Sequence, residues 1–145
     1  MPSLIRLYVE FFEMKKRAWL AGIALVLYCG FIFFLSSLPA SSISSYPFSD
    51  KAKHFFLYLG LGFIFSYFLK NLKWDISWFA ICTAALFFSF IYGLSDEIHQ
   101  LFVPGRTFDL IDLIADSVGG ISGGIMIFFL FEINRSYARR LTNNK

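Results

Sequence analysis

Charge is scarce in this chain. Only 16% of its 145 residues are charged, against about 25% in an ordinary soluble domain. It is 57% hydrophobic and 21% aromatic, with a mean hydropathy of +0.63. A soluble globular domain is thereby excluded, and the twenty Phe residues point to contact with lipid. Cysteine is scarce too: Cys29 and Cys82 each fall inside an apolar run, which excludes a disulfide framework and leaves two buried thiols. The basic residues form short clusters and no continuous stripe, so the net charge of +3 does not make a nucleic-acid surface. Internal repeats and low-complexity tracts are absent.

What remains is long apolar runs. Ala18 to Leu38 carries no charge and is long enough to cross a hydrocarbon core of about 30 Å. It is also longer than the apolar region of a signal peptide. Phe55 to Leu69, Ile76 to Leu94, and Leu110 to Phe131 supply three more spans, the last interrupted by Asp112 and Asp116. The expected fold is an all-α, integral membrane four-helix bundle. Residues 1–17 are expected as an interfacial helix, with Leu4, Leu7, Phe11 and Met14 at helical spacing. Residues 18–132 form the transmembrane domain and residues 133–145 a basic tail. The serine-rich segment from Pro39 to Pro47 reads as a flexible turn.

Lys and Arg are unevenly distributed. Most of the thirteen lie before the first span (Arg6, Lys15, Lys16, Arg17), in the second connection (Lys70, Lys73) or in the tail (Arg135, Arg139, Arg140, Lys145). The other two connections hold Lys51, Lys53 and Arg106. Cytoplasmic segments carry the excess of positive charge, so both termini are expected in the cytoplasm. The first and third connections then face outward, and the charged residues near them occupy one side of the membrane.

Those residues carry the chemistry. A charge near a bilayer centre costs roughly 2.5–3.5 kcal/mol on insertion scales, so such groups tend to be functional. Ser49 is a plausible cap for the second helix. Asp50, His54 and Tyr58 share one of its faces, and an Asp one turn before a His can hold the imidazole in one tautomer. If the third helix continues to Val103, Gly93, Asp96, Glu97 and Gln100 fall within about a third of a turn. His99 points aside, so Glu97 and Gln100 are the better inward polar groups. Pro104-Gly105 marks a turn. Arg106 after it can clamp a carboxylate or phosphate, or pair internally with Glu97 or Asp112. Thr107 can cap the fourth helix, along which Asp109, Asp112 and Asp116 make an acidic stripe about 10 Å long. Gly119, Gly120, Gly123 and Gly124 then allow a neighbouring helix to approach closely.

With Asp50-Lys51-x-x-His54 and Tyr58, then Asp96-Glu97-x-His99-Gln100-x-Phe102-x-Pro104-Gly105-Arg106, then Asp112-x-x-Ala115-Asp116-x-x-Gly119, the chain resembles the VanZ-like membrane proteins. The resemblance covers most of the chain, from the first span to the fourth. It implies a small four-helix protein of the bacterial plasma membrane, in a family named for a member associated with resistance to the glycopeptide teicoplanin. Family members often carry Asn where this chain has Asp116.

Four functions compete. The first is an enzyme or lipid-modifying protein acting on an amphiphile such as a lipid-linked envelope precursor. In it His54 or Glu97 is the acid/base and Asp112 and Asp116 orient His54 or bind a metal. Asp50, Lys51, Tyr58, Gln100 and Arg106 hold the ligand; no cofactor is identified, although clustered carboxylates with a His could hold a divalent cation such as Mg²⁺ or Ca²⁺. The second is a non-catalytic binding or regulatory protein using the same groups. The third is an ion-coupled transporter with the acidic stripe as relay, disfavoured by four short helices without repeats. The fourth is a purely structural ion-pair network, for which no substitution would leave a folded but inactive protein.

Overall fold

The computed structural model describes residues 4–42, 47–72 and 75–143. The chain forms four long helices, α1 (Leu4–Ser36), α2 (Pro47–Leu72), α3 (Trp78–Gln100) and α4 (Leu110–Asn143), with a short 3₁₀ turn at Ala40–Ser42. Each contains a stretch long and apolar enough to cross a membrane: Phe11–Ser36, Asp50–Leu72, Trp78–Gln100 and Leu110–Thr142. The protein is an all-α, multi-pass membrane bundle. Its many exposed large apolar side chains, including Phe34, Phe56, Phe79 and Phe129, would be an aggregation hazard in water and are the natural surface in lipid.

Both tails are continuous with spans. Residues 4–17 are the first turns of α1 and residues 133–143 the last of α4, so no break in the helix marks either expected boundary. In the N-terminal turns Leu4 and Phe11 are exposed, and so are Tyr8, Val9 and Phe12. The side chains of Arg6, Leu7, Glu10 and Ser49, together with Lys73 and Lys145, lie outside the described residues.

Local chemistry explains most helix ends. α2 begins at Pro47, where a proline's missing N–H costs nothing, so the helix starts ahead of Ser49. Ser77 caps α3, its Oγ accepting from the Ala80 N–H at 3.2 Å. α3 ends at Gln100 rather than continuing to Val103. The Phe102 and Val103 N–H groups bond to His99 and Gln100 carbonyls, a tightened terminal turn, and Pro104 disfavours helical geometry at the residue before it. Gly105 completes the turn with φ +77°, a conformation that favours glycine. The cap of α4 is Asp109 and not Thr107: Asp109 Oδ1 accepts from the Ile111 N–H at 2.8 Å.

α2 is the central helix, in contact with the other three, whereas α1 packs on α2 and touches α3 lightly. The α2–α4 seam is built on glycine. A Cβ on Gly62 would collide with the carbonyl of Gly120, so the two backbones meet directly. α1 is tied on by hydrogen bonds, Tyr28 Oη to the Leu57 carbonyl at 3.1 Å and Tyr92 Oη to the Cys29 carbonyl at 2.6 Å. Cys29 and Cys82 are free thiols, half-buried rather than buried. The connections α1–α2 and α3–α4 meet at one end of the bundle, where the Ala40 N–H bonds to the Pro104 carbonyl at 3.3 Å. The polar residues of interest gather beneath them.

Candidate functional site

α2, α3 and α4 each turn charged residues inward at this end. Asp96, Glu97 and Gln100 are all buried on α3, as are Asp112 and Asp116 on α4 and His54 on α2; Glu97 and Asp116 are 0% exposed. These acids therefore lie among protein groups and away from lipid, as intramembrane acids generally do. His99 is elsewhere: its ring packs on Phe33 with centroids 4.5 Å apart, and its Nε2 lies 3.1 Å from Ser37 Oγ.

The pairing differs from the local expectation. His54 Nδ1 lies 3.0 Å from Asp116 Oδ1, and its Nε2 is 4.0 Å from Asp112 Oδ2. Asp50, one turn away on the same helix, instead approaches Arg106 at 3.8 Å and Lys53 at 3.9 Å. The cause is direction: α2 and α4 are in backbone contact, and an Asp from the facing helix reaches the inward imidazole squarely. A carboxylate only accepts, so Nδ1 carries the proton of this bond. Gly93 makes room for the pair, because a Cβ there would lie 2.6 Å from Asp116 Oδ2.

Arg106 likewise pairs with neither Glu97 nor Asp112. Its long contact with Asp50 is its ion pair among the described residues, and its Nε is buried without a hydrogen-bond partner. Glu97 Oε2 accepts the Asp109 backbone N–H at 2.7 Å, which binds the end of α3 to the start of α4, while Glu97 Oε1 has no partner. Lys51 takes up the acidic stripe. Its ammonium donates to Asp109 and pairs with Asp112 at 2.7 Å. The nearby ammonium holds the Asp109 carboxyl below the usual carboxylate range. The charge of Lys51 is thus engaged by two carboxylates within the protein.

A cavity of about 770 Å³ opens beside these groups. Its lining combines apolar side chains, Ile32, Leu35, Leu38, Phe56 and Leu57, with polar ones, Asp50, Lys53, His54, Asp96, Gln100 and Arg106. Ser36 and Tyr58 also line it, and their hydroxyls are buried without hydrogen-bond partners. Asp112, Asp116 and Glu97 stand behind His54 and do not line the cavity. Ser36 and Lys53 were not singled out by sequence reasoning. Ser36 sits at the end of an uncharged run, with no local signal that it faces α2.

Asp50, His54 and Asp112 offer ligand atoms that all lie within 4.8 Å of one another. An imidazole with two carboxylates suits a divalent cation, and among the described residues these three could hold one.

The family model for VanZ/LLP1 matches residues 12–132, which takes in all four spans and every residue of the site. The chain belongs to the VanZ/LLP1 family. This VanZ/LLP1 protein is also similar to an uncharacterized protein of the fission yeast Schizosaccharomyces pombe, 28% identical over 130 residues that make up 90% of this chain and 74% of the yeast protein. No solved structure matches it.

Proposed function

We propose that this VanZ/LLP1 protein takes a phosphate-bearing amphiphile from the membrane into the cavity between α1 and α2, with His54 as acid/base on its head group. The observation that carries the reading is the mixed lining of the cavity. Charged and apolar side chains around one cavity, at the end of a membrane bundle, suit a head group joined to an acyl or prenyl chain. Arg106 contacts the anion, its guanidinium held among protein groups with only a long ion contact. His54 lines the cavity and is steadied through Nδ1 by Asp116; its Nε2, 4.0 Å from Asp112, is the nitrogen left to act as a general base. Glu97, Asp112 and Asp116 are positioning groups, and Tyr58 and Gln100 line the seat.

The distribution of Lys and Arg supports an orientation with this end outward and both termini in the cytoplasm. A lipid-linked envelope precursor of a bacterial plasma membrane is one such ligand. A similar protein in a fission yeast widens the class to membrane phospholipids. The resemblance to VanZ also brings teicoplanin resistance within the proposal, tested by expressing wild type and Arg106→Gln in a sensitive bacterial host.

The deciding experiment extracts the protein from native membrane, identifies bound amphiphiles by mass spectrometry, and compares membrane lipid profiles with His54→Gln at matched protein levels. A retained amphiphile and a lipid profile that depends on His54 support an enzyme. Retention with an unchanged profile supports the second reading, a non-catalytic binding or regulatory protein. Absence of any retained amphiphile overturns both.

The clustering of Asp50, His54 and Asp112 favours an alternative use of His54, in which Nε2 binds a divalent cation, Mg²⁺ or Ca²⁺, in place of acting as the acid/base. Calorimetry with each metal checks it, and no heat above that of His54→Ala would end the idea.

A further inference from the structure

The charged residues lining the cavity are not evenly matched. Arg106 and Lys53 meet Asp50 only at 3.8 Å and 3.9 Å, so two cations share one carboxylate at long range, and the Arg106 Nε is buried with no partner. The same lining carries Asp96, a carboxylate 5% exposed. Its Oδ2 accepts from Gln100 Nε2 at 3.2 Å, yet it belongs to no ion pair among the described residues. A buried carboxylate without a cation is costly. Ser36 and Tyr58 add two buried, unpartnered hydroxyls on the same lining. One region therefore lacks an anion and another lacks a cation.

We infer that the head group is zwitterionic, a phosphoethanolamine type, with its phosphate on Arg106 and Lys53 and its primary amine on Asp96. This rests on the proposal that the cavity holds an amphiphile, and it names the chemistry of the head group. The amine completes Asp96 with N–H donors and a positive charge. A quaternary ammonium has no N–H to give, and it favours a cage of aromatic faces; Phe56 and Tyr58 are the aromatic residues lining the cavity. A head group with phosphate alone leaves Asp96 as costly as before.

The full chain, purified in detergent, would be titrated with phosphatidylethanolamine, phosphatidylcholine and phosphatidylglycerol of matched acyl chains, with binding read by native mass spectrometry. The expected order puts phosphatidylethanolamine first by roughly tenfold, about the worth of one charge-assisted hydrogen bond. Asp96→Asn should bring it down to the level of phosphatidylglycerol without weakening the latter. Arg106→Gln should weaken all three. Equal or tighter binding of phosphatidylglycerol to wild type overturns the inference and leaves the amphiphile proposal standing; that comparison needs no variant to fold. Unchanged preference in Asp96→Asn also overturns it. Failure of all three lipids to bind overturns this inference, while the amphiphile proposal is overturned only by the absence of any retained amphiphile from native membrane.

Discussion

His54 of α2 is held by Asp116 of α4, Nδ1 to Oδ1 at 3.0 Å, across 62 positions of sequence. Both side chains are buried, so the bond joins the two helices whose backbones already touch. Asp116→Asn keeps an acceptor of nearly the same shape and should fold with a thermal midpoint close to wild type. Asp116→Ala leaves a buried imidazole N–H unsatisfied and should cost about 1–3 kcal/mol. Thermal unfolding of both variants in one detergent separates them; equal midpoints would mean the bond contributes nothing.

Gly93 is the empty space that Asp116 uses. A methyl group at Gly93 would sit 2.6 Å from Oδ2, and overpacking of this kind costs typically 1–3 kcal/mol. Gly93→Ala should therefore loosen the His54–Asp116 pair. The imidazole resonances of His54, followed by NMR in ¹⁵N-histidine-labelled protein, should shift while those of His99 stay in place. Unmoved His54 signals would contradict the geometry.

Asp109 makes acid sensitivity measurable. Its carboxyl is held down first by the hydrogen bond from Lys51. A carboxyl whose folded pKa is depressed contributes stability that is complete above its unfolded value, about 3.9. That contribution is lost as pH falls through the lower folded value. Asp109→Asn keeps the helix cap, since Asn caps as well as Asp, and removes the charge. Thermal midpoints taken from pH 6 downward should fall less steeply in the variant below about pH 4. Parallel curves would remove Asp109 from the acid response.

Orientation has a direct check. In a background with Cys29 and Cys82 replaced by Ala, Thr107→Cys should react with a membrane-impermeant maleimide added to intact cells. Thr142→Cys should react only after permeabilisation. The reverse pattern would turn the site toward the cytoplasm and remove any outer-leaflet ligand.

Much of the bundle was legible because its signals are local. Each span declares itself by an apolar run, and the turn at Pro104-Gly105 by backbone chemistry. Burial of Gly93, Asp96, Glu97 and Gln100, with His99 off to one side, follows from the 100° step of a single helix. Partners were legible only as alternatives. Asp50, one turn before His54, and Asp112 and Asp116 on the fourth helix were all candidates to orient it, and Asp116 takes that place. Arg106 was placed near Glu97 or Asp112, while Asp50 is the carboxylate it approaches. Thr107 had the residue type of a cap, yet Asp109 has the position.

The sequence by itself determined that this is a four-span membrane protein with acids, two histidines and one arginine concentrated at one end. Helical period, apolar length and charge distribution need no knowledge of the neighbours. Only the tertiary structure decided that Lys51 closes the acidic stripe, that His54 belongs to Asp116, and that Arg106 and Asp96 line a cavity together with apolar side chains. Those outcomes depend on how far α2 and α4 can approach and how α1 lies across them. Glycine at the α2–α4 seam permits that approach, but contacts between helices choose which carboxylate meets which cation.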